Sequence, residues 1–159
     1  MILPLECNLD YLAISSFLTS SFSGLTDIIP YMKFGIVVKE GHKRGEILVS
    51  KVRPYLKSKG HEVLEEKDFN SADYILTFGG DGTLIHAACD YIELGIPLVG
   101  INTGNLGFLT AQDADKWQEA IGNLISAKVF LSERITIEAQ ISGSKEVFRA
   151  INEAAIKSY

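Results

Sequence analysis

ADYILTFGGDGTLIHAA, residues 72–88, runs an apolar segment into a glycine turn that holds one carboxylate, then resumes with a different period. Tyr74, Ile75, Leu76 and Phe78 form a β-rich run bounded by glycine, the pattern of a short buried strand. From Thr83 onward, Leu84, Ile85, Ala87, Ala88 and Tyr91 recur at helical spacing. Gly79-Gly80-Asp81-Gly82 lies between the two. The reading therefore puts Asp81 at the carboxyl end of a strand and just before a helix, where open α/β sheets place their ligands.

Working outward, KFGIVVKE (33–40) carries Phe34, Ile36, Val37 and Val38 unbroken by charge, as strands covered on both faces do. GHKRGEILVSKVRPYLKSKG (41–60) follows as a helix with Ile47, Leu48, Val52, Tyr55 and Leu56 on one stripe, Gly60 as its stop and Pro54 as a kink point. HEVLEE (61–66) reads as a second strand, and GIPLVGIN (95–102) as the strand after the Thr83 helix. DADKWQEAIGNLISAK (113–128) is amphipathic, with Asp113 as cap and Trp117, Ala120, Ile121, Leu124 and Ile125 turned inward. RITIEAQIS (134–142) and KEVFRAINEAAIKSY (145–159) alternate like antiparallel strands, with Ile135, Ile137 and Ala139 on one face. The order predicts a layered α/β sheet that is parallel first and mixed afterwards.

The 159 residues suffice for one ordinary core, and 47% hydrophobic with 22% charged residues marks a globular chain. A net charge of −5 gives no reason to expect nucleic acid or a membrane as partner. Cys7 and Cys89 stand far apart with no paired spacing, which favours reduced thiols and a cytoplasmic location over a metal site. LAISSFLTSSFSGL (12–25) is apolar, but Glu6 and Asp10 precede it and no Lys or Arg does. It fits neither a signal peptide nor a membrane span. Residues 1–32 are expected to be an extra packed segment or an arm.

Gly79-Gly80-Asp81-Gly82-Thr83 is neither a Walker A loop, whose lysine is missing, nor the dinucleotide GxGxxG. Its glycines leave backbone N–H groups open to a phosphate, and the following helix start favours negative charge. A carboxylate there would repel the anion unless a metal or a proton transfer uses its charge. Asp81 is thus a candidate general base or magnesium contact; the plain alternative is a helix cap. INTGNLGFLT (101–110) also follows a strand, with Asn102, Thr103, Gly104 and Asn105 as a turn that either shares a crevice with Asp81 or only reverses the chain. Asn152 and Glu153 interrupt an apolar strand and need partners there. His86, one turn beyond the glycines, could reach a bound phosphate or sugar. His42 and His61 receive no role, and Lys43, Arg44, Lys51 and Arg53 read as a solvated helix face.

Gly79 to Thr83 match a GGDGT signature shared by NAD kinases, diacylglycerol and sphingosine kinases and, more loosely, 6-phosphofructokinases. GINTGNLGFL (100–109) is similar to the NAD kinase form rather than to the GTGNDFAR-like form of the lipid kinases, and NEAAI (152–156) resembles the family's NE motif. From Phe34 to Ile156 the chain resembles the NAD kinase family. The resemblance implies a three-layer α/β domain at 33–130, with helices on both faces of a mostly parallel sheet. It makes 131–159 the first strands of an all-β NAD-binding domain, whose TPTGSTAY-like segment does not occur in these residues.

The resemblance also implies phosphorylation of the adenosine ribose 2′-hydroxyl of NAD by ATP, or by polyphosphate in some relatives, to give NADP. Asp81 would be the base; Asp81, Gly82, His86, Asn152 and Glu153 would contact NAD; Gly79, Gly80, Gly82 and Thr83 would approach the ATP phosphates. A divalent cation, Mg²⁺, would ride on those phosphates, and the full-length protein would be a homo-oligomer. A diacylglycerol-type lipid kinase or a non-catalytic nucleotide-binding remnant is the alternative. The 159 residues alone are expected to bind NAD weakly and turn over little.

Overall fold

The computed structural model describes residues 30–104, 107–110, 112–140, 143 and 145–151. Strands β1 (Lys33–Val38), β2 (Glu62–Val63), β3 (Tyr74–Gly79), β4 (Leu98–Asn102) and β5 (Gln112–Asp113) form one sheet in the order β2-β1-β3-β4-β5. Every pairing in it is parallel. Helix α1 (Lys43–Ser58) joins β1 to β2, α2 (Asp81–Asp90) leads from β3 toward β4, and α3 (Trp117–Ile125) follows β5. Strand order runs outward from β1 in one direction and from β3 in the other. The crevice at the carboxyl ends of β1 and β3 is therefore the topological switch point.

The two faces of the sheet are built differently. Alternate residues Phe34, Ile36, Leu76, Phe78 and Ile101 pack with Leu48, Val49, Val52 and Leu56 of α1 and Ile121 and Leu124 of α3 as one buried cluster. Residues of the opposite parity, Gly35, Thr77 and Gly100, are small. They let the 3₁₀ turn at Glu66–Ser71 and helix α2 come close, and a Cβ on Gly100 would lie 3.2 Å from Leu84 Cδ2. A smaller cluster of Leu64, Phe69 and Ile75 fills the rest of that face. Helices thus cover both faces of a mostly parallel sheet, as expected.

Several boundaries differ from the sequence reading. β2 keeps only two residues, because after Val63 the chain turns into the 3₁₀ segment that buries Phe69. The strand after α2 starts at Leu98, since Gly95 is needed for a turn with φ of 63°. β5 was not foreseen; two residues carry no period. On α1 the buried stripe is Gly45, Leu48, Val49, Val52 and Leu56, while Ile47 is 58% exposed. Gly60 ends the helix at φ +82°, and the His61 N–H donates back to Leu56 O at 3.0 Å. Asp113 makes no capping bond with its side chain; it opens a 3₁₀ turn, and Lys116 precedes α3.

Strands β6 (Thr136–Gln140) and β7 (Val147–Ile151) pair antiparallel in a sheet of their own. On the expected shared face Ile137 is half-buried and Ala139 exposed, while Ile135 lies before the strand and is exposed. The pair rests against the end of α2: Arg149 bonds Glu138 at 2.9 Å and also pairs with Glu93, and Cys89 Sγ approaches Arg149 O at 3.5 Å. Residues 1–29, 105–106, 111, 141–142, 144 and 152–159 lie outside the described residues, and with them most of the expected amino-terminal segment.

Candidate functional site

Asp81 is the first residue of α2 rather than a loop residue, and Gly80 is the N-cap. Its carboxylate does not cap its own helix. Oδ2 accepts the Phe108 N–H at 2.7 Å, and Oδ1 accepts those of Leu109 at 3.1 Å and Thr110 at 3.2 Å. The capping alternative is thereby replaced by a clamp between two strand-end connections. The Phe108 N–H is the main cause that holds the Asp81 carboxyl below the usual carboxylate range; desolvation opposes it, and the Leu109 and Thr110 donors add to it. The amides make Asp81 a firmly ionised carboxylate.

Two glycines of the site are required by crowding. A Cβ on Gly107 would fall 2.2 Å from Asp81 Oδ1, and one on Gly79 would fall 2.1 Å from Thr83 Oγ1. Gly80 and Gly82 are different: a Cβ on either would meet nothing within 4 Å, and neither needs positive φ. Nothing in the described chain demands glycine at these two positions. What they leave is uncovered backbone at the start of a ten-residue helix, which suits the approach of an anion.

The second turn lies at the same edge, as expected. Gly79 and Asn102 are register partners at the ends of β3 and β4, and the Thr103 N–H donates to Gly79 O at 3.0 Å. Asn102 and Thr103 are buried, and Asn102 Oδ1 accepts the Gly104 N–H at 2.9 Å. His42, which the sequence reading passed over, shares a 2.7 Å hydrogen bond between its Nε2 and Thr103 Oγ1. Gly45 lets it in: a Cβ there would lie 2.9 Å from His42 Cδ2 and 3.1 Å from Phe78 O. The start of α1 is thus tied across the switch point to the end of β4.

A cavity of about 510 Å³ opens beside this tie, lined on the α1 side by Arg44, Ile47 and Lys51 and on the other by Asp113 and Asp115, with Asn102, Thr103 and Gly104 as its floor. Arg44 and Lys51 are therefore part of a concave wall and not only a solvated helix face. Asp81 stands on the α2 side of the same strand-end ridge. His86 is exposed on α2, five residues past Asp81, and so is not its i, i+4 neighbour. Asn105, Asn152 and Glu153 fall outside the described residues. The clamp donors Phe108 to Thr110 were missed because amides leave no residue-type signal; the Phe108 side chain itself is fully exposed. No helix among the described residues is long and apolar enough to cross a membrane.

A protein of Pyrococcus furiosus named NAD kinase is 32% identical over 142 residues, covering 79% of this chain and 51% of its own length. One from Fusobacterium nucleatum with the same name is 31% identical over 123 residues, covering 77% and 45%. The chain spans about half the length of these relatives. In fold it is similar to yeast NADH kinase, solved with NADH, at a TM-score of 0.59 and 16% identity over 77% of this chain and 46% of that one. With residues 37–129, more than half its length, matching the ATP-NAD kinase N-terminal domain, and with the GGDGT edge built as above, the chain belongs to the NAD kinase family.

Proposed function

We propose that this chain carries the catalytic edge of an enzyme that phosphorylates the adenosine ribose 2′-hydroxyl of NAD with ATP. The observation that carries the reading is the ionised Asp81 carboxylate, fixed at the switch-point edge by three backbone N–H groups. Oδ2 takes one donor and keeps a lone pair for a hydroxyl proton. The alcohol oxygen attacks the γ-phosphorus, the bond to the ADP oxygen breaks, and the hydroxyl proton passes to Asp81. A carboxylate held below its usual range is a weak base for an alcohol. It suffices because the transition state is loose and the hydroxyl acidifies as the P–O bond forms, so positioning does most of the work.

Gly79, Gly80, Gly82 and Thr83 line the approach of the donor phosphates, and Asp81, Gly82, His86, Asn152 and Glu153 are assigned to NAD. Among the described residues no three His, Cys, Asp or Glu side chains gather as a metal cage, and both Asp81 oxygens already accept amides. The residues fit a magnesium ion carried on the donor phosphates, where it would offset their charge. β6 and β7 are taken as the opening of a second, NAD-binding unit at 131–159. The full-length protein is read as a cytoplasmic homo-oligomer that engages neither nucleic acid nor membrane.

Incubation of the full-length protein with magnesium-ATP and either NAD or diacylglycerol tests the reading. NADP formation, abolished by Asp81→Asn, is expected; lipid phosphorylation without NADP would overturn it. A kinase must enclose its acceptor to exclude water, and the described residues supply one wall. Turnover by residues 1–159 alone is therefore expected to be slow, with weak NAD binding as the more sensitive readout.

A further inference from the structure

Three amides fix the Asp81 carboxylate only if the amides are themselves fixed. The Phe108, Leu109 and Thr110 N–H groups belong to chain that leaves the sheet after Asn102 and is back in it at Gln112, the register partner of Ile101. A carboxylate and the turn it grips can shift together without breaking a bond between them. A displacement of about 1 Å is enough to cost a reaction about a hundredfold. The turn therefore needs a second hold, on the side away from Asp81. There Thr103, 4% exposed, shares a 2.7 Å hydrogen bond between its hydroxyl and His42 Nε2.

The backbone of His42 is set for this contact. Its N–H donates to Lys39 O at 3.0 Å, and its carbonyl accepts the Glu46 N–H at 3.1 Å. His42 stands at the N-cap position of α1, yet its side chain makes no capping bond, so the helix itself does not account for the imidazole. We infer that His42 is a positioning residue for Asp81: through Thr103 it anchors the start of the turn whose far end carries the three amides. The turn is then braced at its two ends from two helices, by the residue before α1 and by the first residue of α2. The Thr103 N–H, bonded to Gly79 O at 3.0 Å, closes the brace through β3, two residues before Asp81. What His42 does for phosphoryl transfer rests on the kinase reading; its hold on the carboxylate does not.

A ¹³C NMR titration of the Asp81 carboxyl in the 159-residue chain reads that hold without turnover. His42→Ala and Thr103→Val should each move the titration up toward the ordinary carboxylate range, and the double variant should move it no further than either alone. His42→Gln, whose amide can reach the same hydroxyl, should leave it near the wild type. In the full-length protein, kcat for NADP formation should fall about threefold to tenfold in His42→Ala and return in His42→Gln, with KM for ATP and NAD within about twofold. Thr103→Val removes one hydroxyl and carries the same test should His42→Ala not fold. An unshifted Asp81 titration, or independent shifts that add in the double variant, would overturn the inference. So would a His42→Ala effect confined to KM for ATP, which would make His42 a contact of the donor. Absence of NADP formation by the wild type would instead strike the kinase reading and leave the titration standing.

Discussion

At the carboxyl end of the sheet Asp81 meets the chain with three N–H donors on its carboxylate; at the amino end His61, 4% exposed, has no hydrogen-bond partner among the described residues for either ring nitrogen. Both residues come from polar stretches beside a strand, yet their surroundings push them in opposite senses. Amides hold Asp81 charged, and burial holds His61 neutral, its pKa lowered. His61 sits edge-on to Phe34 at 5.7 Å between ring centroids and behaves as part of the hydrophobic filling. The carboxyl end uses backbone amides to hold a charge in place; the amino end keeps its imidazole neutral and unbonded among apolar neighbours.

Removing the charge should break the comparison most sharply. Asp81→Asn keeps the shape and loses the base, so kcat for NADP formation should fall about 10²–10⁴-fold, with a smaller change in NAD affinity. A variant that melts early but retains its turnover would reduce the clamp to a structural fastening.

Gly107→Ala attacks the clamp from the other side. The added methyl would fall 2.2 Å from Asp81 Oδ1, so either the carboxylate or the Phe108–Thr110 backbone has to move. Turnover should drop about tenfold to a hundredfold through misplacement, and the Asp81 carboxyl, followed by ¹³C NMR titration, should rise toward its ordinary value as the amides withdraw. Retained turnover with an unshifted titration would show that the loop has no part in setting the charge.

The carboxyl-end site was legible as far as residue types carry it. GGDGT stood out because glycines and an acid interrupt an apolar strand, and NTGNLGFL because it repeats that interruption one strand later. Their meeting at one edge follows from parallel order alone. The clamp was not legible, because its donors are amides that any residue would present, 27 to 29 positions away from Asp81. His42 was passed over for a similar reason: its partner Thr103 is 61 residues distant and brought near only by the crossover. Ile47 was placed inward by a stripe that helical spacing permits equally at 45, 48, 49 and 52, and packing chose the latter. His61 was read as the start of a strand and given no role. Its burial depends on how α1 closes over Phe34, which no local pattern records.

The smallest expected effect belongs to His61 and is a matter of pH. Its folded pKa lies below the unfolded value of about 6.5, so between the two the unfolded chain holds a proton that the folded chain refuses. Stability therefore rises with pH across that window: the contribution is intact above about 6.5 and is lost as pH falls toward the folded value. Asp81 tilts stability in the same direction but at lower pH, because its depressed pKa stabilises the fold above the ordinary carboxylate range and is lost on acidification through it. The two are separable by substitution. His61→Leu removes the buried unsatisfied nitrogens and should leave stability at neutral pH unchanged or raised by up to about 1 kcal/mol. In thermal melts between about pH 7 and pH 5 the wild type should lose more of its melting temperature than the variant does. Parallel loss in both proteins would mean that His61 finds a partner or water on protonation, and the contrast between the two ends of the sheet would then be one of degree.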